Sequence, residues 1–143
     1  MKYMIMTFGS AEGGLAAKGR EWMLEMVKFM QQLDKDLKES GELVDSQGLA
    51  DGSQAKTVRI KNGIPVATDG PFAEAKEVLG GYWMIQVKSK EEAIEWATRC
   101  PASENETIEI RQVHEFTDFP AEVQKAAPGG PALWEQLKQR SGA

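Results

Sequence analysis

A single cysteine, Cys100, and a single histidine, His114, stand among 143 residues, and these two scarcities exclude a good deal. One thiol cannot close an internal disulfide, and one thiol with one imidazole cannot supply the Cys/His set of a structural zinc site. The expectation is a chain of the reducing cytoplasm that holds no metal and needs no cofactor. Runs of positive charge are also missing. The formal net charge is −5, and no five-residue window is dominated by Lys or Arg, so a phosphate backbone is repelled on average and direct nucleic-acid binding is not expected. Long apolar runs are absent too. The opening stretch from Tyr3 to Phe8 gives way at once to a glycine-rich segment, too short for a signal-peptide core or a membrane span.

What is present is enough chain for one domain, since a protein of this size buries roughly 68–70% of its unfolded surface. The reading is a domain over residues 1–119 and a tail over 120–143. Lys2 to Phe8 alternates as a strand that is apolar on both faces. From Glu21 to Ser40 the residues Trp22, Met26, Phe29, Leu33 and Leu37 recur at spacings of three and four, which predicts an amphipathic helix stopped by Gly41. Glu42 to Leu49 reads as a short strand followed by an Asp51-Gly52-Ser53 turn. Two strands, Lys56 to Lys61 and Ile64 to Thr68, flank Asn62-Gly63, a pair suited to a two-residue hairpin turn. Tyr82 to Val87 is the next strand. Ser89 with Glu92 three residues on predicts a capped helix ended by Pro101. Thr107 to Phe116 alternates as the last strand. In the tail, Leu133, Trp134 and Leu137 predict a short amphipathic helix after the Pro128-Gly129-Gly130-Pro131 breaker.

That order, strand, helix, strand, hairpin, strand, helix, strand, is an α+β, ferredoxin-like βαββαβ core with an inserted β-hairpin. Two helices cover one face of such a sheet. The other face carries more apolar surface than the roughly 300–600 Å² typical of the largest patch on a monomer, so a second sheet has to cover it. An identical subunit is the economical source, which predicts a homodimer with two sheets face to face.

Asp69-Gly70-Pro71-Phe72 followed by Gly80-Gly81-Tyr82-Trp83, the opening strand, the Ala97-Thr98-Arg99-Cys100-Pro101 segment and the late Ile108-Glu109-Ile110-Arg111 strand occur in one order over about residues 1 to 119. In these stretches the chain resembles the DGPF branch of the YCII-related family. It departs at Gln112, where many relatives carry Pro, and at Ala75, where Thr is common. The resemblance implies a dimeric α+β barrel with a pocket near Asp69, and a family without one agreed reaction. Some relatives use a His–Asp pair, which implies His114 working with Asp69. Others in this branch are associated with extracytoplasmic-function sigma factors.

Among the candidate side chains, Asp69 reads either as a turn carboxylate bonding backbone amides or as a general base drawn partly out of water. Glu74, Lys76 and Glu77 are either a solvated helix start or, for Glu74, a second acid near Asp69. Glu109 and Arg111 share one face of the last strand; they form a structural pair between the two sheets, or Arg111 grips an anionic ligand, with Arg59 on the hairpin able to join either arrangement. His114 has the parity of Ile108 and Ile110, which predicts a packed imidazole and leaves proton transfer as the sharper alternative. Phe72, Tyr82 and Trp83 read as pocket wall and core. Cys100, at a helix C-terminus beside no base, is a poor nucleophile. Two functions stay open. One is a homodimer binding a small polar or aromatic acid, with acid–base turnover of the lyase, isomerase or hydrolase kind where it is an enzyme. The other is a non-catalytic sensor or regulatory module with a protein partner such as a sigma factor.

Overall fold

A computed structural model describes residues 1–10, 19–71, 77–100 and 106–141. The chain forms two compact units, residues 1–112 and 113–143. The first is α+β. Strands β1 (Lys2–Ser10), β2 (Leu43–Gly48), β5 (Glu77–Gln86) and β6 (Thr107–Gln112) make one sheet in the order β2-β5-β1-β6 with every neighbouring pair antiparallel, while β3 (Lys56–Lys61) and β4 (Ile64–Asp69), among the described residues, pair only with each other. Helix α1 (Arg20–Ser40) joins β1 to β2, and α2 (Lys90–Thr98) joins β5 to β6.

Both helices pack on one face of the sheet. Tyr3, Ile5, Trp83 and Ile85 point into a core with Leu33 and Leu37 of α1 and Ala93 and Ala97 of α2, and Ile108 and Ile110 pack against it from β6. The α1 stripe differs from the expected one by a step around the helix: Met30 packs on the core with Leu33 and Leu37, and Phe29 is exposed. Spacings of three and four admit either residue, and the direction of the sheet selects between them. Gly41 ends α1 at φ 78°, in the left-handed region. The Glu42 N–H donates back to the Leu37 carbonyl at 3.3 Å and the Gly41 N–H to that of Lys38 at 3.1 Å, the two bonds of a Schellman cap. At the start of α2 the Ser89 hydroxyl accepts from the Glu92 N–H at 3.2 Å, and the Glu92 carboxylate in turn accepts from the Lys88 N–H at 3.0 Å. The reciprocal bond therefore falls one residue before the cap.

The hairpin turn has Asn62 at φ 52° and Gly63 at φ 77°, the paired positive values of a type I′ turn. Strand β5 starts at Glu77, five residues before the expected Tyr82, and takes in Gly80 and Gly81. The glycines belong to the strand because β2 runs close beside it: a Cβ on Gly81 would sit 2.7 Å from the Gln47 carbonyl oxygen. β6 ends at Gln112, short of the expected Phe116.

In the second unit Phe116 turns inward from a 3₁₀ turn, Phe116–Asp118, fixed by reciprocal bonds between Glu115 and Asp118. Two helices follow, α3 (Ala121–Ala126) and α4 (Gly130–Ser141); the tail reading contained only the second. Trp134 lies 5.9 Å from Phe116 and 5.8 Å from Phe119 between ring centroids, so it joins a small aromatic cluster, while Leu133 and Leu137 of the same expected stripe are exposed. Among the described residues no helix is long and apolar enough to cross a membrane.

Candidate functional site

The period of two in each strand assigns every sheet residue to one of two faces. With Tyr3, Ile5, Trp83 and Ile85 turned to the helices, the second face carries Met4, Met6 and Phe8 of β1, Tyr82 and Met84 of β5, and Glu109 and Arg111 of β6. The register lines these up across the strands. Asp45, Met84, Met4 and Arg111 form one row, and Gln47, Tyr82, Met6 and Glu109 the next. Three methionines thus make a floor between two polar edges.

At one edge the Tyr82 hydroxyl donates to the Asp45 carboxylate at 2.8 Å. That bond holds the Asp45 carboxyl below the usual aspartate range, against the opposing effect of partial burial, and it raises the Tyr82 phenol, with burial adding to the rise. At the other edge Glu109 and Arg111 form a loose ion pair at 3.9 Å. Tyr82 and Glu109 are two strands apart, roughly 10 Å at the usual strand spacing. Met6 is buried and Met4, Met84 and Tyr82 are half-buried, whereas Glu109 and Arg111 are exposed. The arrangement offers a soft apolar floor that adapts to ligand shape, a phenol–carboxylate pair on one side and a guanidinium beside a carboxylate on the other.

Tyr82 and Trp83, grouped together in the sequence as wall and core, separate onto opposite faces. Trp83 is a core residue whose Nε1–H donates to Asp34 at 2.6 Å. Asp69 ends β4 and forms an ion pair with Lys56 across the hairpin, with 88% of its side chain exposed. Its carboxylate is thus in water. Phe72 and Glu74, with Lys76, lie outside the described residues. His114 is exposed in the second unit, edge-on to Phe119 at 5.8 Å. The packed imidazole expected from parity is not found, because β6 stops two residues earlier and the alternation stops with it. Cys100 is buried, and burial pushes its thiol up to about 12, which removes it as a nucleophile near neutrality.

Asp45 and Gln47 were not singled out in the sequence. Their alternation along β2 was a usable signal, but only the pairing with β5 shows that they stand beside Tyr82. A separate depression of about 750 Å³ opens between α2 and the end of α1, lined by Glu42, Glu92, Trp96 and Arg99 among others. These four are engaged within the fold: Trp96 donates to Glu42 at 3.3 Å, Glu92 caps α2, and Arg99 pairs with Asp36.

The model of the YCII-related domain matches residues 1–117 of this sequence. The chain belongs to the YCII-related family. It is also 29% identical over 97 residues to an uncharacterised protein of Rhizobium meliloti (strain 1021), an alignment covering 68% of this chain and 77% of that one. In this YCII-related chain the matched region includes all four strands of the main sheet, and with them the methionine floor and both polar edges.

Proposed function

We propose that this YCII-related protein, of the DGPF branch, binds a small polar or aromatic acid as a homodimer. The reading rests on one observation above the others: the sheet face turned away from the helices joins an apolar floor, Met4, Met6 and Met84, to two polar pairs about two strands apart. An aromatic or aliphatic body lies on the methionines, an anionic group meets Arg111, and a donor or acceptor at the other end meets Tyr82 and Asp45.

The strand order β2-β5-β1-β6, with helices after β1 and β5, supports the ferredoxin-like arrangement. A second copy covering this face makes the dimeric α+β barrel and encloses the ligand against the methionine floor. In that enclosure the groups at hand suit proton transfer: Tyr82 is a phenol held protonated, Asp45 and Glu109 are carboxylates, and none is an activated nucleophile. Asp69 and His114 are exposed in one protomer, so their proposed part in proton transfer depends on being covered by the second copy.

Light scattering at micromolar protomer concentration, followed by calorimetric titration with a panel of small aromatic and hydroxy acids, tests the reading. The expected result is a dimer that binds at least one class of acid, with Arg111→Ala weakening binding about tenfold or more, the loss of a charge-assisted bond. A monomer at that concentration, or binding indifferent to both Arg111→Ala and Tyr82→Phe, would overturn it.

A further inference from the structure

The β3–β4 hairpin stands apart from the rest of the first unit in three ways. It pairs with no strand of the four-stranded sheet. It exposes large aliphatic side chains to an unusual degree, with Val58 61%, Ile60 67% and Ile64 64% accessible. Its charge is also opposite to that of the molecule. Residues 56–69 hold Lys56, Arg59 and Lys61 against Asp69 alone, so with −5 overall and +2 on the arm, the remaining residues carry −7.

Its base is tied and its tip is shaped. The Gly70 N–H donates to the Ala55 carbonyl at 2.7 Å, and the Thr57 hydroxyl donates to the Gly70 carbonyl. The type I′ turn matches the natural strand twist. By register Val58 faces Ala67 and Ile60 faces Pro65, so these four make one apolar side of the ribbon. A two-stranded hairpin is marginally stable in water by itself, and exposed β-branched residues at its tip add nothing to its stability until something covers them.

We infer that this hairpin is a dimerisation arm whose Val58/Ile60 side lies over the Met4/Met6/Met84 sheet face of a second copy of this chain, with the ligand site between them. The inference rests on the homodimer reading and specifies its contact. A second copy is the occupant because it supplies both requirements together: an apolar floor of matching character and an acidic body that draws in a basic arm. The arm then closes the partner's ligand floor from above, and each site is incomplete without it.

The test compares the full chain with its Val58→Ser/Ile60→Ser variant by sedimentation or light scattering across protomer concentration, with far-UV circular dichroism and tryptophan fluorescence reporting the fold. If the arm is the contact, the dissociation constant rises at least about tenfold, the effect of removing interface anchors, while both fold signals persist. A dimer of unchanged affinity overturns the arm and leaves the homodimer reading standing; a monomeric parent protein overturns both. Should the double variant not fold, Lys61→Glu at the exposed tip replaces it, with weakened association and a flattened salt dependence expected and no change in either overturning the arm. The position is read by bis-maleimide cross-linking, with Cys100 silent in its buried site. Mixing Ile60→Cys and Met4→Cys proteins should give a mixed cross-linked dimer, whereas cross-linking of Ile60→Cys with itself alone, or no product from the mixture, overturns the packing.

Discussion

At the scale of single residues, a few long-range hydrogen bonds decide which side chains are structural and which are available for chemistry. Trp83 illustrates the first kind. Its ring is buried and its Nε1–H reaches Asp34, 49 positions away in sequence, at 2.6 Å. Trp83→Phe keeps most of the ring volume but withdraws the donor, so urea unfolding should show a loss of about 2 kcal/mol, the range for a hydrogen bond to a charged group with a small packing change. Tyr82 illustrates the second kind. Its bond to Asp45 depresses the Asp45 carboxyl and raises its own phenol, so the pair shares a proton preference that neither has alone. Tyr82→Phe should move the Asp45 titration, followed by carboxyl carbon NMR, back up toward the ordinary aspartate value. A titration that stays where it was would mean another group holds Asp45 low.

At the scale of elements, close approach between strands sets what the sequence permits. Gly81→Ala puts a Cβ where the Gln47 carbonyl already is, 2.7 Å away, with the Gly48 Cα at 3.3 Å. Both neighbours are backbone and cannot rotate aside, so β2 must shift, at a cost of about 1–3 kcal/mol as for overpacking elsewhere. Hydrogen exchange should localise the damage to the β2–β5 pairing, which also holds Asp45 beside Tyr82; protection unchanged in β2 would contradict this. The same two glycines explain why β5 was legible only from Tyr82 onward. Gly80-Gly81 punctuates a sequence read locally, and its use as a strand segment depends on a neighbour more than thirty residues upstream. The hairpin, by contrast, was legible in full, because Asn62-Gly63 carries its own conformational preference. Helix α1 was legible in extent and cap but not in rotation, so Phe29 was expected inside and Met30 took the position. Asp45 was hidden for the same reason as the strand role of Gly81: a residue joins the candidate site through register, and register between β2 and β5 is a property of the folded sheet.

At the scale of the whole molecule, the shifted groups determine how stability depends on pH. Asp36 is held low chiefly by hydrogen bonds from Gln32 and Arg99, and Asp45 chiefly by Tyr82, each against an ordinary value of 3.8. A carboxyl whose folded pKa is depressed stabilises fully above its unfolded value and loses that contribution as pH falls through the folded one. Urea midpoints should therefore be flat from pH 7 to about 5 and fall below about 4, with Asp45→Asn shallower on that acid limb. On the alkaline side the sign reverses in direction: the Cys100 thiol, pushed from 9.0 to about 12, and the Tyr82 phenol, raised from 10.0, are both protonated longer in the folded chain than in the unfolded one. The unfolded chain gains by releasing protons first, so stability should decline as pH rises above about 9, starting with Cys100 and continuing with Tyr82. In the proposed homodimer stability depends on protomer concentration, so these profiles are taken at one fixed concentration. Repeating them at tenfold dilution then separates the two contributions: the shape belongs to the titrating groups within a protomer, and a uniform downward displacement belongs to association. An acid limb that deepens on dilution would instead mean that carboxylates on the sheet face titrate with the second copy in place.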